Sequence, residues 1–148
     1  MMSGTLTMYN QMGNKAFTDG VVQFAPYFGS IDPMFVALRP GYAEVSVKKQ
    51  AKVQNHLGSV HAIAMCNAAE LVAGTMTDVS IPETHRWIPV GMSVRYLKKA
   101  KTDLRALADG SGLDWSGEND ITVPVSIVDT EGIEVFTAEI TMKISPKA

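Results

Sequence analysis

The chain has 148 residues, a formal net charge of −2 and one cysteine, Cys66. That length suits a single domain over residues 1–148 with a real core, and a lone cysteine excludes a disulfide framework or a paired-cysteine metal site. A pI near 5.9 disfavours nucleic acid as a partner.

The first residues, "MMSGTLTMYNQMGNKAF", lack the charged start and apolar centre of a signal peptide. No apolar run reaches the roughly 20 residues of a membrane span. The expectation is a soluble cytoplasmic protein with no membrane partner.

In chain order, residues 5–18 place Leu6, Tyr9, Met12 and Ala16 on one face, which predicts a helix that Gly13 weakens. "APYFGSID" reads as a loop punctuated by Pro26 and Gly29. "PMFVALRPGYAEVSVKKQ" reads as two strands turned at Pro40-Gly41. In the second strand Ala43, Val45 and Val47 alternate with Tyr42, Glu44 and Ser46. "KVQNHLGS" is irregular, and Ser59 is placed to cap a following helix.

Residues 60–78 are apolar on nearly every face, so this helix is expected to be buried. It carries Asn67 and Glu70 as polar members of a core segment. After "VSIPETHR" the pattern becomes strands: "WIPVGMSVRYLKKA", "TDLRALADG", and a hairpin in "ITVPVSIVDTEGIEVFTAEITMKI" turned at Asp129–Gly132. Strands around one buried helix predict an α+β domain with an antiparallel sheet wrapped on that helix.

Spacing constrains any chemistry. His61 and Glu70 are nine residues apart, on opposite helix faces and about 13 Å apart along the axis. They can share a site only between two subunits. Asn67 and Glu70, three apart, share a face, so Asn67 is expected to orient the carboxylate. A carboxylate in an apolar setting is suited to act as a base.

The stretch Asn55, Gly58, Ser59, Val60, His61, Ala62, Ile63 with Glu70 further on resembles the motif of hotdog-fold acyl-CoA thioesterases of the phenylacetate-pathway type. That motif is an asparagine, Gly-x-x-His-Gly-Gly, then an acid on the helix. The lead-in "LRPGYAEVSV" and the following "GMSVRYLKKA" are similar to the same family. The departure is Ala62-Ile63 where the family has Gly-Gly.

The resemblance implies the hotdog fold, a homodimer or dimer of dimers with sites across its interface, and an acyl-CoA or other acyl thioester as substrate. It implies Glu70 as nucleophile or base toward water. It implies carbonyl polarisation by the Ala62 amide, with Asn55 or His61 assisting. Gly58 and Asn67 would line the substrate, and Lys98 and Lys99 would meet the CoA phosphates, with Lys48, Lys49 and Lys52 as a second basic cluster. No metal is implied, and no cofactor beyond the CoA of the substrate.

Two other readings stand beside this one. His56 and Glu70, fourteen apart, resemble the pair of hotdog hydroxyacyl-thioester dehydratases, although "LGSVHAIA" lacks their proline. Ala62-Ile63 also fits a non-catalytic acyl-CoA-binding hotdog protein.

Overall fold

The computed structural model describes residues 3–148. Two α-helices, α1 (Gly4–Phe24) and α2 (Ala62–Ser80), accompany six strands. The strands are β1 (Pro33–Arg39), β2 (Tyr42–Val47), β3 (His85–Tyr96), β4 (Leu104–Asp109), β5 (Ile121–Val128) and β6 (Glu134–Pro146). They form one antiparallel sheet in the order β1-β2-β4-β5-β6-β3. α2 packs against this sheet and contacts all six strands.

Strand alternation decides what faces the helix. One row of paired residues runs Phe35, Val45, Ala106, Ile127, Phe136 and Tyr96 from β1 to β3. The first five are buried, whereas Tyr96 is 57% exposed. A second row runs Val123, Ile140 and Met92; the first two are buried and Met92 is 44% exposed. The apolar face of the sheet therefore continues onto β3 after the helix has stopped covering it.

The two edges of the sheet differ. On β1, the Thr18 hydroxyl of α1 accepts from the Phe35 amide at 3.0 Å and donates to the Asn14 carbonyl at 2.7 Å. Asn14 Nδ2 donates to the Val36 carbonyl at 3.4 Å. Phe17 meets Phe35 edge-on at 5.0 Å between centroids, and Tyr9 meets Phe17 at 5.2 Å. α1 thus shields this edge with side chains that satisfy its backbone. On the other side, β3 pairs only with β6, and its second edge is open among the described residues. Pro89 and an irregularity between Pro89 and Gly91 lie on this edge strand, where a missing N–H is tolerated.

The predicted N-terminal helix is right in kind and too short. α1 runs to Phe24 and breaks at Gly13, whose φ of 78° suits glycine alone. The loop reading at "APYFGSID" becomes a short 3-10 helix, Pro26–Ile31. The Pro40-Gly41 turn is as expected, with Gly41 at φ 82°. So is the Asp129–Gly132 turn, where the Gly132 amide donates to the Asp129 carbonyl at 3.0 Å. α2 begins two residues later than the apolar pattern suggested, because Val60 is extended and bridges to Gln54.

Candidate functional site

The entry to α2 is built by a tight loop. Asn55 Oδ1 accepts from the Leu57 amide at 2.9 Å and from the amide and hydroxyl of Ser59, both at 3.2 Å. Gly58 supplies the φ of 79° that the turn needs, and its amide donates to the Asn55 carbonyl. The His61 amide donates to Val53 O at 2.7 Å, and the Val60 amide to Ala100 O at 2.8 Å. This last bond docks the loop carrying Lys98 and Lys99 against the motif. Lys98 and Lys99 are exposed, while Lys52 is engaged by Asp32 at 2.7 Å.

Ser59 is not the cap. Its hydroxyl is buried and donates to Asn55. His61 caps α2 instead: its Nδ1 accepts from the Ile63 amide at 3.0 Å. A ring nitrogen that accepts carries no proton, so the imidazole proton sits on Nε2 and is free to donate. The Ala62 amide, in the first turn, has no acceptor among the described residues. Together with the helix dipole it favours negative charge at this point.

Asn67 and Glu70 part company. Asn67 is buried, and its Nδ2 donates to Tyr27 O at 3.2 Å and Ser30 Oγ at 3.1 Å. Its donors are committed to the 3-10 helix, so it does not orient the Glu70 carboxylate as expected. Its Oδ1 is buried without a partner among the described residues. Glu70, expected to be a core acid, is exposed. It escapes burial because the N-terminal half of one α2 face has nothing over it.

That uncovered strip holds Ala62, Ile63, Cys66 and Glu70. Ile63 is 54% exposed, and Cys66 Sγ lies 3.9 Å from Tyr96 Oη. The Cys66 thiol beside it, by hydrogen bond and charge, pushes the Tyr96 hydroxyl up from its ordinary range, with burial a lesser cause. Further along the helix the strip closes. Trp87 of β3 lies over Gly74, where an added Cβ would come 2.7 Å from the ring, and Trp87 Nε1 donates to Asp78 Oδ1 at 2.8 Å. Asp78 also accepts from Thr5 of α1.

Tyr96, Met92 and Trp87 therefore flank the candidate site, and the sequence reading named neither Tyr96 nor Trp87 as a site residue. The alternation in "WIPVGMSVRY" was the available signal. Between α2 and the sheet, Val47, Met65, Leu104 and Ile127 leave no space the size of a water molecule. A ligand beside Glu70 must therefore lie on the outer strip. A hollow of about 1030 Å³ on the other face of the sheet, lined by Tyr42, Leu107, Ser126 and Thr137, contains none of the motif residues. His56 stands on the exposed turn. Among the described residues no three His, Cys, Asp or Glu side chains are placed to hold a metal, and no helix is long and apolar enough to cross a membrane.

An antiparallel sheet packed around one apolar helix, with the motif loop leading into that helix, is the hotdog fold. The chain belongs to the family described as a domain of unknown function, DUF4442, whose model matches residues 13–144. It is similar to the crystal structure of a structural-genomics target, APC5556, at 57% identity and a TM-score of 0.89 over 97% of each chain. PA5026 of Pseudomonas aeruginosa, described as a probable thioesterase, aligns at 22% identity and a TM-score of 0.74, over 88% of this chain and 91% of that one. The protein smu.793 of Streptococcus mutans UA159, solved bound to acetyl CoA, aligns at 20% identity and a TM-score of 0.66, over 76% and 88%. No curated protein sequence matches the chain.

Proposed function

We propose that the protein hydrolyses an acyl thioester, acyl-CoA above all, at sites formed between two copies of the chain. The observation that carries this reading is the uncovered strip of α2. It has a free amide and a donating His61 at one end and the Glu70 carboxylate at the other, beside an open sheet edge. The name of PA5026 and the acetyl CoA bound to smu.793 support the ligand class.

In this reading the thioester carbonyl oxygen points at the Ala62 amide, with His61 Nε2–H and the Asn55 side-chain amide close by. These donors stabilise the charge that develops on the oxygen. Glu70 of the second copy attacks the carbonyl carbon or takes a proton from an attacking water. The thiolate leaves and takes up a proton; water supplies the hydroxyl of the released acid, directly when Glu70 acts as base, or by hydrolysing the Glu70–acyl anhydride when Glu70 attacks. Lys98 and Lys99, docked beside the motif by the Val60–Ala100 bond, offer charge to the CoA phosphates. The reaction needs no cofactor, because CoA is part of the substrate.

The test is thiol release from a panel of acyl-CoA thioesters. Glu70→Gln is expected to lower kcat by about 10²-fold or more, as loss of a general base or nucleophile does, with the thermal midpoint preserved. Hydrolysis that survives Glu70→Gln unchanged refutes this mechanism. Ile63, standing 54% exposed on the strip, favours a second reading as a binding protein. Tight acyl-CoA binding by the native protein with no turnover decides for that one.

A further inference from the structure

Resting on the reading above, we propose that the Tyr96 hydroxyl is a further hydrogen-bond donor to the thioester carbonyl oxygen, supplied by β3 of the same chain that supplies the Ala62 amide. Cys66 lies one turn beyond Ala62, about 6 Å along the axis and turned by only about 40°. Side chains on a helix lean toward its N-terminus, so the Cys66 thiol stands over the turn that Ala62 opens. Tyr96 Oη is 3.9 Å from that thiol. The hydroxyl therefore ends on the uncovered strip, toward the end where the Ala62 amide is free and His61 Nε2 carries its proton.

The ring is held in place although it is 57% exposed. Tyr96 pairs with Phe136 across β3 and β6, and the two rings lie 6.1 Å apart, tilted by 41°. Phe136 is buried, so one side of the Tyr96 ring rests on the core. Immediately after Tyr96, the Leu97 and Lys98 amides both donate to the Val135 carbonyl, at 2.9 and 3.3 Å. A little further on, the Ala100 carbonyl accepts from the Val60 amide at 2.8 Å. A short stretch of backbone thus ties Tyr96 to the entry of α2, and the donors are positioned before any ligand arrives.

The hydroxyl has no strong acceptor among the described residues. Its hydrogen-bonding neighbour is the thiol, and sulfur accepts weakly. The same thiol pushes the hydroxyl up from its ordinary range, so near neutrality the oxygen keeps its proton and can donate it. A carbonyl oxygen has two lone pairs. The Ala62 amide takes one and leaves the other for the phenol. Both bonds strengthen as negative charge builds on the oxygen. A phenylalanine at this position could pack on Phe136 in the same way, and what tyrosine adds is the donor.

Tyr96→Phe removes this oxygen and keeps the ring. Its kcat/KM for acyl-CoA hydrolysis should fall by about 10²-fold, with the thermal midpoint and the mass by light scattering unchanged. A second readout needs no turnover. S-Ethyl-CoA is acetyl-CoA with a methylene in place of the carbonyl, so it offers no oxygen to the donors. By calorimetry in the Glu70→Gln background, acetyl-CoA should bind more tightly than S-ethyl-CoA, and adding Tyr96→Phe should shrink that preference about fivefold. An unchanged preference overturns the proposal, whatever the rate does, and so does a rate loss that comes with a change in mass. Failure of the hydrolase reading is distinguishable. A protein that hydrolyses nothing, yet loses its preference for acetyl-CoA in Tyr96→Phe, keeps this donor and is not an enzyme. Absence of any acyl-CoA binding overturns both.

Discussion

Replacing Gly74 by alanine tests how β3 is held on α2. In an exposed helix this change gains up to about 1 kcal/mol. Here the new Cβ lies 2.7 Å from Cη2 and 3.3 Å from Cζ3 of Trp87, well inside the roughly 3.5–4.0 Å at which carbons pack. The indole has to withdraw by nearly 1 Å. Its Nε1 is 2.8 Å from Asp78 Oδ1, and the same withdrawal takes that bond past the length at which it counts as one. Overpacking of this kind, or loss of a hydrogen bond to a charged group, costs about 2–3 kcal/mol. After the helix gain, Gly74→Ala should destabilise by about 1–2 kcal/mol. For a domain this size that is a fall in Tm of about 2–8 °C. Urea titration and a thermal melt followed by indole fluorescence measure it. In the Trp87→Phe background, where the ring is shorter, the same alanine should become neutral or stabilising. An alanine that raises Tm in the native background sinks the argument.

Thr18→Val removes the side-chain acceptor of the buried Phe35 amide and should cost about 1–3 kcal/mol, with faster hydrogen exchange at Phe35; Thr18→Ser should restore both. His61→Ala should weaken α2 by about 1 kcal/mol through loss of the cap, whereas His61→Asn keeps the cap and separates stability from any loss of hydrolysis. Burial first, and then the hydrogen bond to Glu44, push the Tyr42 hydroxyl from 10.0 up to about 12. Between those two pH values the unfolded chain has released this proton and the folded one still holds it. Stability from Tyr42 is therefore complete below pH 10 and lost as pH climbs toward 12. Glu44→Gln should narrow that window, as read by ultraviolet titration of tyrosinate; an unmoved titration refutes the coupling.

Most of the fold was legible because its signals are local. Pro40-Gly41 and Asp129–Gly132 announce turns, and the alternation of Leu104, Ala106 and Ala108 announces a strand facing a core. The all-apolar run around Leu71 announces a buried helix. What sequence could not give is which apolar surface goes uncovered. Ile63, Met92 and Tyr96 read as core residues by type, and in the single chain they are exposed, since pattern does not say what lies opposite. Glu70 was misjudged for the same reason. Ser59 and His61 are both credible caps by position. The choice fell to His61 because Asn55 had already drawn the Ser59 hydroxyl into the loop. Asn67 was drawn away from Glu70 by Tyr27 and Ser30, nearly forty residues earlier, a distance no helical spacing can reveal.

The unequal edges of the sheet limit growth. A strand ladder open at both ends could add copy after copy and run on as a fibre. Here α1 closes the β1 side with Thr18 and Asn14, leaving β3 as the open edge among the described residues. Two such chains joined β3 to β3 present only shielded edges outward. Any association through the sheet would then stop at a pair, with α1 as the terminator that bars further strands.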